Sequence, residues 1–398
     1  MELSTKQLHE KDQKYYLPTF KRYPLAFKKG SGCYLWDMED NKYLDVLAGI
    51  AVNNVGHCHP KVVKAIQEQA EKLIHISNFY VSPQQVELSE KLTALSGLSR
   101  VFLTNSGAES VEGAMKIARK YAFKKGKGGS IIAMENSFHG RTLATIATGK
   151  KKYQEGFAPI PEGFYRVPFN SLEAIKAHIN NDIAAIILEP VQGEGGIHSV
   201  QVEFLKELRE LCDKNDILLI FDEIQCGIGR TGKMFAKEHY GVEPDIMTLA
   251  KGLGGGTPVG AFLCNEKVAR AINFGDHGTT FGGNPLVCAA AIATLNVIED
   301  EKLCENALDL GNWLMEALEK MKTDFPIIKE VRGKGLMIGV ELKKPAGELV
   351  KMLMEKKILA NATADNVLRL VPPLNIKKEE LQYLLNNIAD CLTEMEKK

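Results

Sequence analysis

Three polar residues stand where apolar runs stop. Asp222 follows "ILLIF", Glu189 follows "AAIIL", and Lys251 follows "IMTLA". Any one of them could cap a helix or lie on the surface. Parallel α/β sheets bind ligands beyond the carboxyl ends of their strands, so the three together point to a shared crevice. A fourth feature belongs with them. "NSGAES", residues 105–110, follows the apolar run "RVFLT" and opens a helical pattern. Ser106 can cap that helix, Gly107 lets backbone approach a ligand, and the free amides of the first turn suit a phosphate. Ordinary capping accounts for the same residues. A lysine that condenses with an aldehyde, a carboxylate that keeps a ring nitrogen protonated, and amides for a phosphate are what pyridoxal phosphate requires. The glycines of "LAKGLGGG" do not make a nucleotide-binding P-loop. Lys251 precedes them, and Pro258 with "VGAFL" follows where a helix would have to begin.

These residues need a scaffold, and the middle of the chain supplies one. "RVFLTN", "GSIIAM", "IAAIILEP", "ILLIFDE", "DIMTLAK" and "VGAFLCN" are short apolar runs between polar or turn residues. Several are apolar at nearly every position, as strands buried on both faces are. Helical patterns separate many of them. In "VEFLKELRELCDKND", Phe204, Leu205, Leu208, Leu211 and Cys212 share one face. In "PKVVKAIQEQAEKL", Pro60 marks a helix start and Val63, Ile66, Ala70 and Leu73 form the predicted stripe. The alternation predicts an α/β domain with a largely parallel sheet over residues 60–290. Residues 1–59 include two or three strands over 20–50, with tight turns at Lys29-Gly30 and Glu39-Asp40-Asn41. They are expected to join residues 291–398, with helices near 346–357 and 377–396, in one smaller α+β domain. No internal repeat or low-complexity linker interrupts the chain.

Composition excludes several classes of partner. The chain has 398 residues, 45% hydrophobic and 25% charged, with 50 Lys+Arg against 50 Asp+Glu. This balance offers nothing to nucleic acid or an anionic membrane. The N-terminal "MELSTKQLHEKDQKYY" has no apolar segment of a secretory signal, and no stretch approaches 18 apolar residues. None of the eight cysteines forms CxxC. Reduced thiols, a cytoplasmic location and no metal are expected.

Six ordered motifs carry a resemblance. "NSGAES", "SFHGRT", "EPVQGEGG", "FDEIQCGIGRTGK", "LAKGLGGGTPVGA" and "GTTFGGNP" resemble those of the class III (ornithine-type) aminotransferases, fold type I enzymes that use pyridoxal phosphate. The likeness runs from about residue 15 to 395. It implies that Lys251 forms the imine with the cofactor and that Asp222 pairs with its pyridine nitrogen. Gln225 would hydrogen-bond the ring oxygen, while Ile224 and Phe138 cover the two ring faces. Ser106, Gly107 and Ala108 match the phosphate cup. Many relatives have threonine at the position of Ala108, so one hydroxyl donor is absent here. Arg141 matches an arginine that grips a substrate carboxylate through two parallel hydrogen bonds. Glu194 and Arg369 match a pair that opens or closes a second carboxylate site. Thr280, with Thr279 beside it, matches a threonine that reaches the neighbouring subunit's phosphate, which implies a homodimer with shared active sites.

Within the family, "GIAVNNVGHCHP" resembles the acetylornithine branch. Ornithine enzymes carry a tyrosine in this stretch, where this chain has only Ile50, Ala51 and Val52. The branch implies transfer of an amino group from N-acetylornithine to 2-oxoglutarate in arginine biosynthesis. The alternative is another ω-aminotransferase acting on succinylornithine, ornithine, an acylated lysine intermediate or 4-aminobutyrate. Phe79 or Tyr80 of "ISNFYVSP" could border the acyl end, or could be core or interface residues. Some regulators use an aminotransferase-like domain as a cofactor sensor behind a DNA-binding domain. Only about fifteen residues precede the likeness here, with no basic helix among them.

Overall fold

The computed structural model describes residues 3–397. Its centre is a seven-stranded sheet. The strands lie in the order Arg100–Thr104, Gly260–Cys264, Ile246–Leu249, Leu218–Asp222, Ile183–Leu188, Ser130–Met134 and Phe164–Val167. Only Gly260–Cys264 runs against its neighbours; the pairings from Ile246–Leu249 through to Phe164–Val167 are parallel.

The two faces of this sheet explain the uninterrupted apolar runs. Successive side chains on a strand point to opposite sides. Leu218 and Ile220 pack with Val111, Met115 and Tyr121 of the helix Gly107–Lys124. Leu219 and Phe221 pack on the other side with Phe204, Leu205, Leu208 and Cys212 of the helix Val202–Asn215. Each fully buried leucine or isoleucine contributes about 1.5–3 kcal/mol. Along Ile183–Leu188 and Leu218–Asp222 no polar residue interrupts either face until the strand ends, so Glu189 and Asp222 come to one edge of the sheet.

The reversal after Lys251 needs glycine. Residues 251–254 form one 3₁₀ turn, and Gly255 follows at φ 57°, where a Cβ would come within 2.5 Å of Thr294 Oγ1. That turn sends the chain back antiparallel, pairing Leu249 with Ala261 and placing Gly260 beside Thr104. It thereby brings the ends of Ile246–Leu249 and Arg100–Thr104 to the same edge.

Two further four-stranded sheets flank this core. One contains Phe27–Ser31, Tyr34–Asp37 and Lys42–Asp45, completed by Ile358–Leu359 running parallel to the last of them. The other is antiparallel, in the order Ile328–Lys334, Met337–Leu342, Val367–Leu370 and Asn361–Thr363. Arg230 ties the segments together. It is fully buried and donates to the carbonyls of Leu336 and Pro372 and to Asn54 Oδ1.

Two local expectations need correction. Lys29 and Gly30 lie inside a strand, and the reversal falls at Gly32, with φ 56°. The helix from Pro60 ends at Ala70 and buries Val62 and Gln69, while Ala70 and Leu73 are exposed. Val62 lies against the glycine turn, and Gln69 closes the helix by donating to the Leu73 carbonyl, which shifts the buried face by one residue. The strand Phe164–Val167 carries no apolar run, because it is a sheet edge whose residues are only partly covered except at Val167.

Candidate active site

The strand ends meet in a cavity of about 470 Å³. Its lining includes Ser106, Gly107, Ala108, Phe138, Arg141, Glu189, Glu194, Asp222, Ile224, Gln225 and Lys251. Eleven residues from five separated stretches of sequence thus share one space, as the strand-end argument requires. An outer chamber of about 800 Å³ continues from it, lined by Thr19, Phe20, Ile50, Phe138, Arg141, Tyr153, Phe157, Glu194 and Lys251.

Lys251 sits at the junction of the two. Its backbone has φ 43°, a conformation rare for a side chain with a Cβ. Such strain costs on the order of 1–3 kcal/mol and persists only where the surroundings enforce it. Burial, and then the Arg369 cation, hold the Lys251 ammonium below its ordinary range, although Glu194, Asp222 and Glu189 oppose the shift. A neutral amine is therefore more accessible here than on the surface.

Three donors converge on Asp222. Its Oδ1 accepts from Ile224 N at 3.0 Å and Thr248 Oγ1 at 3.2 Å, and His139 Nδ1 lies 2.6 Å from Oδ2. His139 is fully buried. Burial alone would lower its pKa, but the hydrogen bond and charge of Asp222 outweigh it, and the net shift is upward. His139 has no place in the sequence reading. Its signal lay in "SFHGRT", one residue beyond Phe138, where only the flanking residues had drawn attention.

Glu189 is also more than a strand end. Its oxygens accept from Phe138 N and Gly193 N, both at 2.9 Å, which fastens the two loops that bring Phe138 and Glu194 to the cavity. Burial raises its carboxyl to about 7.

The helix Gly107–Lys124 brings its N-terminus to the same cavity, capped by Ser106 Oγ accepting from Glu109 N. Its leading amides have no partner within the helix ladder and carry the positive end of the helix dipole. A Cβ on Gly107 would lie 3.0 Å from Ile224 Cδ1, so any larger residue would push that side chain aside. Phe138 and Ile224 supply two apolar walls. The space between them suits a flat ring with an acid at one end and a phosphate at the other, and these residues fit pyridoxal phosphate.

Arg369 is completely buried on the strand Val367–Leu370. It ion-pairs with Glu194 and donates to Gln225 Oε1 at 3.1 Å and Asn361 Oδ1 at 3.1 Å. One terminal nitrogen, Nη2, has no partner among the described residues. Burial works to raise the Glu194 carboxyl, but Arg369 outweighs it and holds the group below its usual range.

Ile50 reaches the outer chamber on an unusual turn. Ala48, Gly49, Ile50 and Ala51 have φ of 50°, 65°, 68° and 58°, a short left-handed helical turn. Asp45 Oδ1 accepts from Leu47 N and Ala48 N, and its other oxygen is 2.7 Å from His57 Nε2. These bonds hold a conformation that costs about 1–2 kcal/mol per residue with a Cβ.

Not every expected residue enters this chain's cavity. Thr280 is exposed outside it, and Thr279 Oγ1 accepts from Asn105 Nδ2 at 3.3 Å. Phe79 and Tyr80 are 94% and 64% exposed, which rules out a core role and removes them from the wall of this chain's own site. They lie beside Thr279, because Asn78 donates to its carbonyl. Among the described residues, no cluster could hold a metal ion and no helix is long and apolar enough to cross a membrane.

Residues 15–392 match the model of the aminotransferase class-III family. An acetylornithine aminotransferase from Methanocaldococcus jannaschii is 54% identical over 97% of this chain and 98% of its own length. One from Methanothermobacter thermautotrophicus is 49% identical over 99% of this chain and all of its own. Among solved structures, the ornithine aminotransferase from Toxoplasma gondii has a TM-score of 0.96 at 34% identity, covering 100% of this chain and 96% of its own. The acetylornithine aminotransferase from Elizabethkingia anophelis has a TM-score of 0.88 at 37% identity, covering 99% of this chain and 100% of its own.

Proposed function

The chain belongs to the class III aminotransferases, and from that premise we propose that it transfers the δ-amino group of N-acetylornithine to 2-oxoglutarate in arginine biosynthesis. The observation that carries the acetyl assignment is the outer wall: Ile50, Phe20 and Phe157 face the chamber where an uncapped α-amine would need a charged partner. The products are N-acetylglutamate semialdehyde and glutamate.

Pyridoxal phosphate, when bound, supplies an aldehyde that takes up the amine and a protonated ring that absorbs electron density from the reacting carbon. The protein's residues do the rest. Asp222 would hold the proton on the ring nitrogen, its carboxylate fixed by His139, Thr248 and the Ile224 amide. The helix end at Ser106–Ala108 would take the phosphate, with backbone amides standing in for the threonine hydroxyl that Ala108 lacks. Phe138 and Ile224 would cover the ring and exclude water, and Gln225 would hydrogen-bond the ring oxygen. Lys251 Nζ would hold the aldehyde carbon and serve as the base at the substrate's amine-bearing carbon.

The two arginines divide the substrates' carboxylates. N-acetylornithine reacts at its δ-amine, so its carboxylate is remote from the chemistry and meets Arg141 at the mouth. In 2-oxoglutarate one carboxylate adjoins the reacting carbon and one is remote. The remote one takes Arg141 again. The near one takes Arg369, which requires Glu194 to swing away. With the pair closed, Glu194 occupies the place on Arg369 that the near carboxylate would take.

Free ornithine is the second reading, favoured by the fold likeness to an ornithine aminotransferase. It would bring an unpaired ammonium against Ile50, at a cost of a few kcal/mol, or about a hundredfold. Steady-state kinetics on acetylornithine, succinylornithine, ornithine and 4-aminobutyrate should therefore show kcat/KM for acetylornithine about a hundredfold above that for ornithine. Equal or better use of ornithine would overturn the acetyl assignment and leave the transaminase intact.

The assembly is proposed to be a homodimer. Thr280 stands outside its own cavity, amid exposed Leu73, Ile74, Phe79, Tyr80, Val81 and Phe281. An apolar patch of this kind marks an interface. Sedimentation should give a dimer burying more than roughly 2,000 Å², and a fully active monomer would refute it. The eight free cysteines suit a reducing cytoplasm.

A further inference from the structure

Arg141 is held by rings and not by acids. Its Cζ lies 4.0 Å from the centre of the Tyr153 ring and 5.5 Å from that of Phe138. The two rings meet edge to face, 5.9 Å apart with an interplanar angle of 87°. Among the described residues, no hydrogen bond or ion pair to the guanidinium is found. Glu194, the one acid lining the same chamber, is taken up by Arg369.

The Tyr153 ring has a firm seat. Lys151–Tyr153 form a 3₁₀ turn closed by Gln154 N donating to Lys151 O at 2.8 Å. Gln154 Nε2 donates to Ile146 O at 2.8 Å, and Arg166 Nη1 donates to Gly149 O at 2.8 Å. The turn is thus fastened to the helix Leu143–Thr148 and to the strand Phe164–Val167.

A guanidinium stacked on a ring face keeps all five N–H donors free in its own plane. A carboxylate neighbour would orient Arg141 as well, but an incoming substrate would have to displace it. Arg369 shows that second arrangement, with Glu194 already in place. An aromatic face orients the cation without competing for it.

We propose that Tyr153 is a positioning residue for both substrates: its ring holds Arg141 with its donor edge open, and so sets the affinity for the carboxylate remote from the reacting carbon. This rests on the reading that Arg141 takes that carboxylate.

The test is a double-mutant cycle on the pyridoxal-phosphate-loaded enzyme. In Tyr153→Leu, KM for acetylornithine and for 2-oxoglutarate should each rise about tenfold, with kcat within about twofold, the size of a lost cation–ring contact. The retained kcat reports an intact fold. Tyr153→Phe, which keeps the ring, should restore both KM values. In an Arg141→Ala background, Tyr153→Leu should change kcat/KM by less than about twofold, since there is no cation left to hold. An equal rise in that background, or no rise in the wild-type background, overturns the role of the ring. Unchanged KM values in Arg141→Ala alone would instead remove the carboxylate reading of Arg141, and the ring's role with it.

Discussion

Lys251→Ala should lower the rate of transamination at least a thousandfold, about 4 kcal/mol of transition-state stabilisation. The substitution removes two functions together, the covalent link and the base. No neighbour can take over the second. Asp222 and Glu189 are each pinned by donors, Glu194 is paired with Arg369, and the Arg141 guanidinium has donors only. The protein itself should stay folded. The side chain opens onto the cavity, and an alanine at φ 43° is no worse placed than the lysine it replaces. Initial rates at saturating substrate, with a thermal unfolding curve as control, decide the matter. Near-normal turnover would mean that the wrong lysine has been assigned.

Asp222→Asn should reduce turnover at least a hundredfold while leaving the cofactor bound. The ring nitrogen loses the anion that keeps it protonated, and the amide cannot fit the pocket built for a carboxylate. Oδ1 faces the Ile224 amide and Thr248, and Oδ2 faces His139. With its NH₂ at the Oδ1 position the side chain meets the Ile224 amide, which can only donate; at the Oδ2 position His139 can accept at Nδ1 only by carrying its proton on Nε2, which is buried without a partner among the described residues. A buried donor then goes unsatisfied, at a cost of about 1–3 kcal/mol in stability. His139 also loses the partner that outweighs its burial, so its pKa should fall. The phosphate end of the site is untouched, so absorbance of the bound cofactor should persist. Unchanged turnover would show that "FDEIQ" does not supply the ring's partner.

Much of this site was legible because of how parallel sheets are built. Strands buried on both faces read as unbroken apolar runs, and the first polar residue after each run marks the ligand edge. Asp222, Glu189 and Lys251 stood out for that reason. Ser106 and Gly107 were legible as a helix opening, a local signal. His139 was not, because its meaning depends on Asp222, 83 residues away. Tyr153 was hidden for a similar reason: nothing in "KKKYQEGF" says that its ring will lie under Arg141. The left-handed turn at Ala48–Ala51 contradicts the preference of three of its four residues; its own backbone bonds to Leu47 O and Ala48 O and the Asp45 carboxylate, steadied by His57, hold it. The Lys29–Gly30 turn was misplaced because Gly32, two residues on, satisfies the reversal better.

The pairing of Ile358–Leu359 with Leu44 and Asp45 has a consequence for the order in which the protein is made. The strands Phe27–Asp45 leave the ribosome early, but their open edge is closed by residues synthesised about 300 positions later. At ordinary elongation rates the edge waits roughly 15 to 60 seconds. Val46 and Asn54 wait as well, since their carbonyls accept from Val371 N and Leu374 N. The central sheet can assemble during that interval, while the wall that carries Ile50 cannot. An unpaired edge is a template for other chains, and Lys28, Lys29 and Lys42 place charge along these strands while they are vulnerable. The part of the pocket that carries Ile50 is therefore finished late in the life of each molecule.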